Sequence, residues 1–184
     1  MIELRDLAPD DEELLYSWRG EPEVARWMSD ADVSGREAHR AWFAQLSNDP
    51  DLRGWMIQRG GRPAGLLTLT GLSGHHRRAA WNWFVGDRDA RGRGVGRAAQ
   101  VLGLDRAFGD LGLHKVWAEV MADNDAAMKI HTAVGFRREG YLLGHVLKDG
   151  APRDVVMLGI LRDEWQVLAP AARAQLATAG LIAA

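Results

Sequence analysis

Residues Trp81 to Gly109 read WNWFVGDRDARGRGVGRAAQVLGLDRAFG. Trp81, Trp83, Phe84 and Val85 have strand character, and the run breaks at Gly86-Asp87. Arg91-Gly92-Arg93-Gly94-Val95-Gly96-Arg97 follows, and then a helix with Val95, Ala98, Ala99, Leu102 and Phe108 on or near one face. The order is strand, glycine-rich turn, helix N-terminus. Glycines at 92, 94 and 96 let backbone approach a ligand closely and turn several N–H groups the same way. The first helical turn adds unsatisfied N–H groups and the positive end of the dipole. The stretch is therefore an anion site, most economically for a pyrophosphate, with Arg91, Arg93 and Arg97 strengthening the field.

Several readings compete for it. A dinucleotide fingerprint needs G-x-G-x-x-G with an acidic residue ~20 positions on, and the alternating G-R-G-V-G-R does not supply that spacing. A Walker loop needs G-K-[ST], which is absent. A flexible basic turn is the featureless alternative. The acetyl-CoA loop pattern R/Q-x-x-G-x-G/A is matched in full by Arg91, Gly94 and Gly96. On these residues the chain resembles the GNAT (Gcn5-related) N-acetyltransferases over about residues 1–162. The resemblance implies an α+β fold: a mixed, mostly antiparallel central sheet with one splayed strand pair, flanked by helices. It also implies acetyl-CoA as acetyl donor.

Bulk composition is consistent with one such domain. The 184 residues are 47% hydrophobic with eight Trp, ample for a core, and carry a net charge of −2. No strong field invites nucleic acid or a membrane surface. Without cysteine there is no disulfide framework, thiolate metal site or cysteine nucleophile. The start, MIELRDLAPDDEEL, lacks an apolar signal core, and no run approaches the ~18 residues of a membrane span. A cytoplasmic protein is expected.

Along the chain, Ile2, Leu4 and Leu7 mark a first strand, and Asp10 to Glu13 an acidic helix start running to Trp18. A short helix is expected from Glu23 to Met28, then one from Gly35 to Leu46 with Ser34 and Glu37 as a capping box. Trp55–Arg59 and Pro63–Leu72 form a hairpin about Gly60-Gly61, continued by a third antiparallel strand into the loop. After the loop helix come a strand at His114–Met121 and a helix, Ala126–Val134, capped by Asp123-Asn124-Asp125 and stopped at Gly135. A hairpin of Tyr141–Leu147 and Asp154–Leu161 turns at Lys148-Asp149-Gly150. The order β-α-α-β-β-β-α-β-α-β-β agrees with the GNAT resemblance. Residues 163–184 read as an Ala-rich extension of one or two helices with Pro170 near a start, serving packing or dimerisation.

The resemblance lays Trp83, Phe84 and Val85 along the pantetheine, gives the pyrophosphate to residues 91–97 (Gly92 and Val95 included), and sets Asn124 and Ala127 against the pantetheine arm. Asn124 is equally a helix cap. Ala127 to Phe136 resembles the family's A-x-x-x-Y-x-x-x-G-F with His131 in the tyrosine's place. In the family that tyrosine is taken as the acid that protonates the CoA thiolate, so His131 either does this work, from its cationic form or by relay through water, or fills the space. Glu119, a carboxylate in an otherwise apolar strand, is the candidate base, acting through water, or else a carboxylate on an exposed strand face. His75 and His76 read as a solvated loop, and no His or carboxylate cluster has metal-ligand spacing, so no metal is expected.

A small-molecule amine is the expected acceptor. Ser17-Trp18-Arg19-Gly20-Glu21-Pro22, then Trp27-Met28, then His39 to Phe43 resemble the pseudaminic-acid pathway acetyltransferases (PseH family), with Gly20 where that family has Asn. That resemblance implies a UDP-linked 4-amino-4,6-dideoxy sugar, a precursor for flagellin glycosylation, held by Arg19, Trp27, Met28, His39, Trp42 and Thr70. Core packing of two amphipathic helices accounts for Trp18 and Trp42 as well. Gly140-Tyr141-Leu142 and Lys148-Asp149-Gly150 equally resemble protein N-terminal (ribosomal-protein type) and spermidine-type polyamine acetyltransferases. A non-catalytic acetyl-CoA-binding module is the third alternative.

Overall fold

The computed structural model describes residues 1–28, 35–72 and 74–183. In chain order these form β1 (Ile2–Asp6), α1 (Asp11–Arg19), α2 (Pro22–Ala25), α3 (Arg36–Asn48), β2 (Leu52–Arg59), β3 (Arg62–Thr70), β4 (Arg78–Val85), α4 (Val95–Asp105), β5 (Lys115–Met121), α5 (Asp125–Ala133), β6 (Arg137–Lys148), β7 (Ala151–Leu161) and α6 (Arg162–Thr178). The seven strands make one sheet in the order β1-β2-β3-β4-β5-β7-β6. The β4–β5 pair is parallel and the other pairs are antiparallel. This is the GNAT fold, α+β as the sequence implied.

Alternation along β2 and β3 divides their apolar side chains between the two faces of the sheet. Met56 and Leu66 turn to one face, where Leu15 and Trp18 of α1 and Phe43 and Leu46 of α3 cover them. Trp55, Ile57, Leu67 and Leu69 turn to the other, onto Val95, Ala98, Val101 and Leu104 of α4. Small residues let α4 lie close: a Cβ on Gly103 would meet Leu67 Cδ1 at 2.8 Å. Trp165, Ala169 and Leu176 of α6 join that same core. Asp105 of α4 accepts from Trp165 Nε1 at 2.9 Å and from the Arg173 guanidinium at 2.8 and 2.5 Å.

The feature that positions the site is the end of the β4–β5 ladder. Pairing covers Arg78↔Lys115, Ala79↔Val116 and Ala80↔Trp117, and then ceases. Beyond it Trp81–Val85 keep their β3 partners and Ala118–Met121 keep their β7 partners. The two edges that face each other across the gap have no strand partner. Apart from the Val85 carbonyl, which accepts from Arg91 Nε, their N–H and C=O groups are open to a ligand of extended shape.

Several sequence-derived boundaries need correction. The short helix is a single turn, because Pro22 at its start sets it and the chain leaves it by Arg26. The expected Ser34 cap lies outside the described residues; Gly35 precedes α3. The last hairpin is longer than expected, with Lys148↔Ala151 as its closing pair and Asp149 (φ 52°) and Gly150 (φ 77°) as its two-residue turn. Pro170 lies inside the one helix α6, not near a helix start. Its missing N–H would face the carbonyl of Gln166, and both residues are exposed, so water takes that carbonyl.

Gly65 in β3 tests how closely this sheet is built. A Cβ there would lie 2.2 Å from the Phe84 carbonyl oxygen of β4. Gly65→Ala must push the two backbones apart, and is expected to cost about 1–3 kcal/mol and lower the Tm by several degrees in a thermal melt.

Candidate active site

The glycine-rich turn takes the form the sequence implied. Gly92 and Gly94 have φ of 72° and 78°, a left-handed region that glycine enters without steric cost. Gly94 is the cap of α4 and offers no side-chain hydrogen bond to the helix. The first intrahelical bond is Ala98 N–H to Gly94 C=O at 3.0 Å, so the N–H groups of Val95, Gly96 and Arg97 lie ahead of the ladder. They open into a cavity of about 500 Å³ between β4, β5, α4 and α5. Gly96 also lets Trp83 lie flat on the helix: a Cβ would meet its ring at 2.7 Å.

Most of the residues assigned to the coenzyme line this cavity: Trp83, Phe84 and Val85 from β4, then Arg91, Gly92, Gly94, Val95, Gly96 and Arg97, then Asn124 and Ala127. Arg93 does not; its exposed side chain turns back to donate to the Asp89 carbonyl at 2.7 Å. Arg91 is used in holding the turn, donating to the carbonyls of Val85 and Gly86 at 3.0 Å and to Glu21 at 3.3 Å. Arg97 donates to Gln175 of α6 at 2.6 Å. The expected field of three arginines is therefore mostly braced elsewhere, and the backbone is the better anion donor. Asn124 caps α5 by accepting from Ala127 N–H at 3.1 Å while also lining the cavity. These residues fit a pyrophosphate and an extended arm.

His131 projects from α5 into the same cavity and is 2% exposed. Its Nδ1 lies 2.8 Å from the Ala127 carbonyl, which can only accept, so Nδ1 carries the proton. Nε2 then accepts from Trp83 Nε1 at 3.4 Å. Phe136 packs edge-on against the ring at 4.9 Å. Burial lowers its pKa to about 4, only partly offset by the Ala127 bond. At neutral pH the ring is neutral, which speaks against the cationic of the two expected routes of proton donation.

A second cavity, about 410 Å³, opens on the other side of the parted strands. It shares Trp27, Trp83 and Glu119 with the first, so the two meet at the gap. Arg19, Trp27, Met28, Trp42 and Thr70 line it as expected. His39 does not. It is fully buried between α1 and α3, donates from Nε2 to the Glu12 carbonyl at 2.9 Å, and stacks near Tyr16 and Trp42. Its pKa is lowered, chiefly by burial. Helix packing claims that histidine.

The sequence reading missed Thr68, Asn82, Trp117 and Met121 as wall residues. A signal was there: Trp117, Glu119 and Met121 alternate along β5, so a site at Glu119 brings its two neighbours on that face. Glu119 is accessible, its side chain 36% exposed, with His145 Nε2 of β6 at 3.9 Å. The Arg19 guanidinium lies 3.8 Å over the Trp42 ring. A larger cavity, about 930 Å³, lies between β1, α4 and α6, but it is remote from the gap and its Asp105 and Arg173 pair with each other. Among the described residues no group of His, Cys, Asp or Glu is placed to hold a metal, and no helix is long and apolar enough to cross a membrane.

Comparison with known proteins agrees with this geometry. Residues 2–137 match the family described as acetyltransferase (GNAT) domain, and the chain belongs to that family. It is an acetyl-CoA-dependent N-acetyltransferase. It is 23% identical over 164 residues to spermidine N(1)-acetyltransferase of Escherichia coli K12, covering 89% of this chain and 88% of that protein. It is 25% identical over 166 residues to the N-acetyltransferase YoaA of Bacillus subtilis, covering 86% and 92%. Its fold superposes on the crystal structure of spermidine N-acetyltransferase from Vibrio cholerae in complex with CoA and spermine, with TM-score 0.83, 21% identity, and 90% and 98% of the two chains covered. The relatives of known activity among these are spermidine acetyltransferases, and the finer sequence resemblance to the pseudaminic-acid pathway enzymes finds no support among them.

The buried His131 has a thermodynamic consequence. A ring whose folded pKa is depressed binds fewer protons folded than unfolded, so its contribution is intact above the unfolded value near 6.5. It falls away toward the folded value of about 4. Urea unfolding between pH 7.5 and 4 is expected to show a loss of up to ~3 kcal/mol that His131→Phe abolishes.

Proposed function

We propose that this acetyltransferase acts on one amine carried by an uncharged, ring-shaped body, an amino sugar, delivered as a nucleotide-linked 4-amino-4,6-dideoxy sugar. The composition of the acceptor cavity carries the reading. The indoles of Trp27, Trp42 and Trp117 wall it with Thr68, Thr70 and Asn82, while Glu119 is its one carboxylate among the described residues; Trp81 and Trp83 turn their rings to the other face of the sheet, against Gly103 and Gly96 of α4. Indole faces stack on the apolar face of a sugar, and the hydroxyls and amide match its hydroxyls. Arg19 inside, and Arg26 stacked on Trp27 at 4.4 Å beside the opening, suit a diphosphate. A polyamine with about three ammonium groups would bring two more charges than this wall can pair.

The relatives favour a second reading. Spermidine acetyltransferases align over most of the chain, and indole faces also attract ammonium groups. In that case Glu119 and Glu23, on the coenzyme side, would be the anionic partners.

Either amine reaches the same machinery. Acetyl-CoA supplies an activated acetyl group as a thioester. The 91–97 turn holds its diphosphate, and the open edge of Trp83–Val85 aligns its arm and turns an N–H toward the carbonyl oxygen. As the amine nitrogen forms the C–N bond and the C–S bond breaks, Glu119 through a water takes the proton that nitrogen loses, and the departing sulfur gains one. His131, neutral and with its one proton held by Ala127, positions Trp83 along the arm and leaves thiolate protonation to solvent.

Thiol release measured with a UDP-4-amino-4,6-dideoxy sugar, spermidine and an N-terminal peptide decides between them. The sugar is expected to show the highest kcat/KM by about 100-fold or more; spermidine at the top would overturn the assignment. Glu119→Gln is expected to lower kcat by about 10²–10⁴-fold with acetyl-CoA affinity unchanged by calorimetry. Undiminished turnover would remove it as the base.

A further inference from the structure

Lys148 ends β6, beside the Asp149-Gly150 turn where a lysine would ordinarily extend into water. It is instead 6% exposed. Its Nζ donates to the carbonyls of Ala25 at 2.8 Å and Met28 at 3.1 Å, more than a hundred residues away in the chain. Those two carbonyls bracket Trp27, which walls both cavities, and Met28, which walls the acceptor cavity. Val24, one turn earlier, lines both as well. Val146, two residues before Lys148 and on the same side of β6, forms part of the acceptor wall from below.

We propose that Lys148 is a positioning residue for the acceptor: it clamps the Val24–Met28 arm across the cavity and so sets where Trp27 and Met28 meet the amine's body. The arm needs such a clamp. Its helix is a single turn, too short to stand by its own hydrogen bonds. Arg26 pairs with Glu23 at 3.7 Å, with both side chains more than half exposed, which contributes little. A buried ammonium bound to two carbonyls is the stronger and more directional contact. It ties the last hairpin to the acceptor wall, and its own bonds reach only Ala25 and Met28. The role rests on the reading of this cavity as the acceptor site.

Lys148→Met keeps the stem and removes the two bonds, and Lys148→Arg retains a cation. Two measurements separate the clamp from the acceptor assignment. In limited trypsin digestion, which needs no acceptor, Lys148→Met is expected to be cut after Arg26 about tenfold faster than wild type, with Lys148→Arg in between. In thiol release with whichever amine the wild type acetylates, Lys148→Met is expected to raise the acceptor KM about tenfold. Its acetyl-CoA affinity should fall by much less than its acceptor affinity, since the arm lends the coenzyme cavity Val24 and Trp27 but none of the N–H groups of residues 91–97. If Lys148→Met does not fold, Lys148→Gln is read by the same outcomes. Unchanged cleavage and unchanged acceptor KM would overturn the proposal, as would a parallel loss of acetyl-CoA affinity. Faster cleavage with no amine acetylated even by wild type would leave the clamp standing and overturn the acceptor reading instead.

Discussion

Everything in this enzyme depends on β4 and β5 ceasing to pair after Ala80 and Trp117. A parallel pair that continued to Val85 and Met121 would satisfy its own backbone and leave no room for a third extended chain. By parting, the strands leave one edge each unpaired, and the first turn of α4 sits at the mouth with its own N–H groups uncommitted. Each would be costly if buried and dry. An acyl carrier with an extended arm and a diphosphate at its end satisfies both sets together. Backbone groups thus make up most of this opening, while Arg91 and Arg93 of the turn brace it.

The gap also joins two cavities of different chemistry. On the coenzyme side the walls are glycines, backbone and helix termini; on the acceptor side they are indoles, two threonines, an asparagine and one carboxylate. Glu119 stands where they meet. The division lets the family-wide part of the reaction stay on α4, β4 and α5. Under the proposed function, acceptor choice falls to α1, the Val24–Met28 arm and the faces of β3 to β5. The wall of that cavity is assembled from segments far apart in sequence, two of which Lys148 ties together.

How much of this was legible in the chain follows from the range of each interaction. The turn at 91–97 could be read because its determinants are local: glycine spacing, a strand before, a helix after. Strand alternation marked β5 and set Trp117, Glu119 and Met121 on one face, since period-two patterning needs no tertiary knowledge; that this face meets a cleft was what the family resemblance implied. What failed were questions of who meets whom. His39 and Trp42 sit three residues apart on α3, but helix geometry turns the histidine toward Glu12 and Tyr16 and leaves the tryptophan at the cavity. His131 is at the motif position, but its protonation is set by Ala127, Trp83 and Phe136, and only a folded chain brings these together. The arginines of the turn looked like anion ligands because their carbonyl partners were invisible.

The most direct test of the central claim is a CoA titration followed through the backbone amides by ¹H–¹⁵N NMR. The account predicts that the resonances of Trp83–Val85 and Val95–Arg97 move first and furthest, as the parted edge and the helix terminus acquire their partner. If those amides stay in place while others move, such as Ile2–Leu4 at the cavity beside α6, the coenzyme does not bind between the strands and the account is wrong.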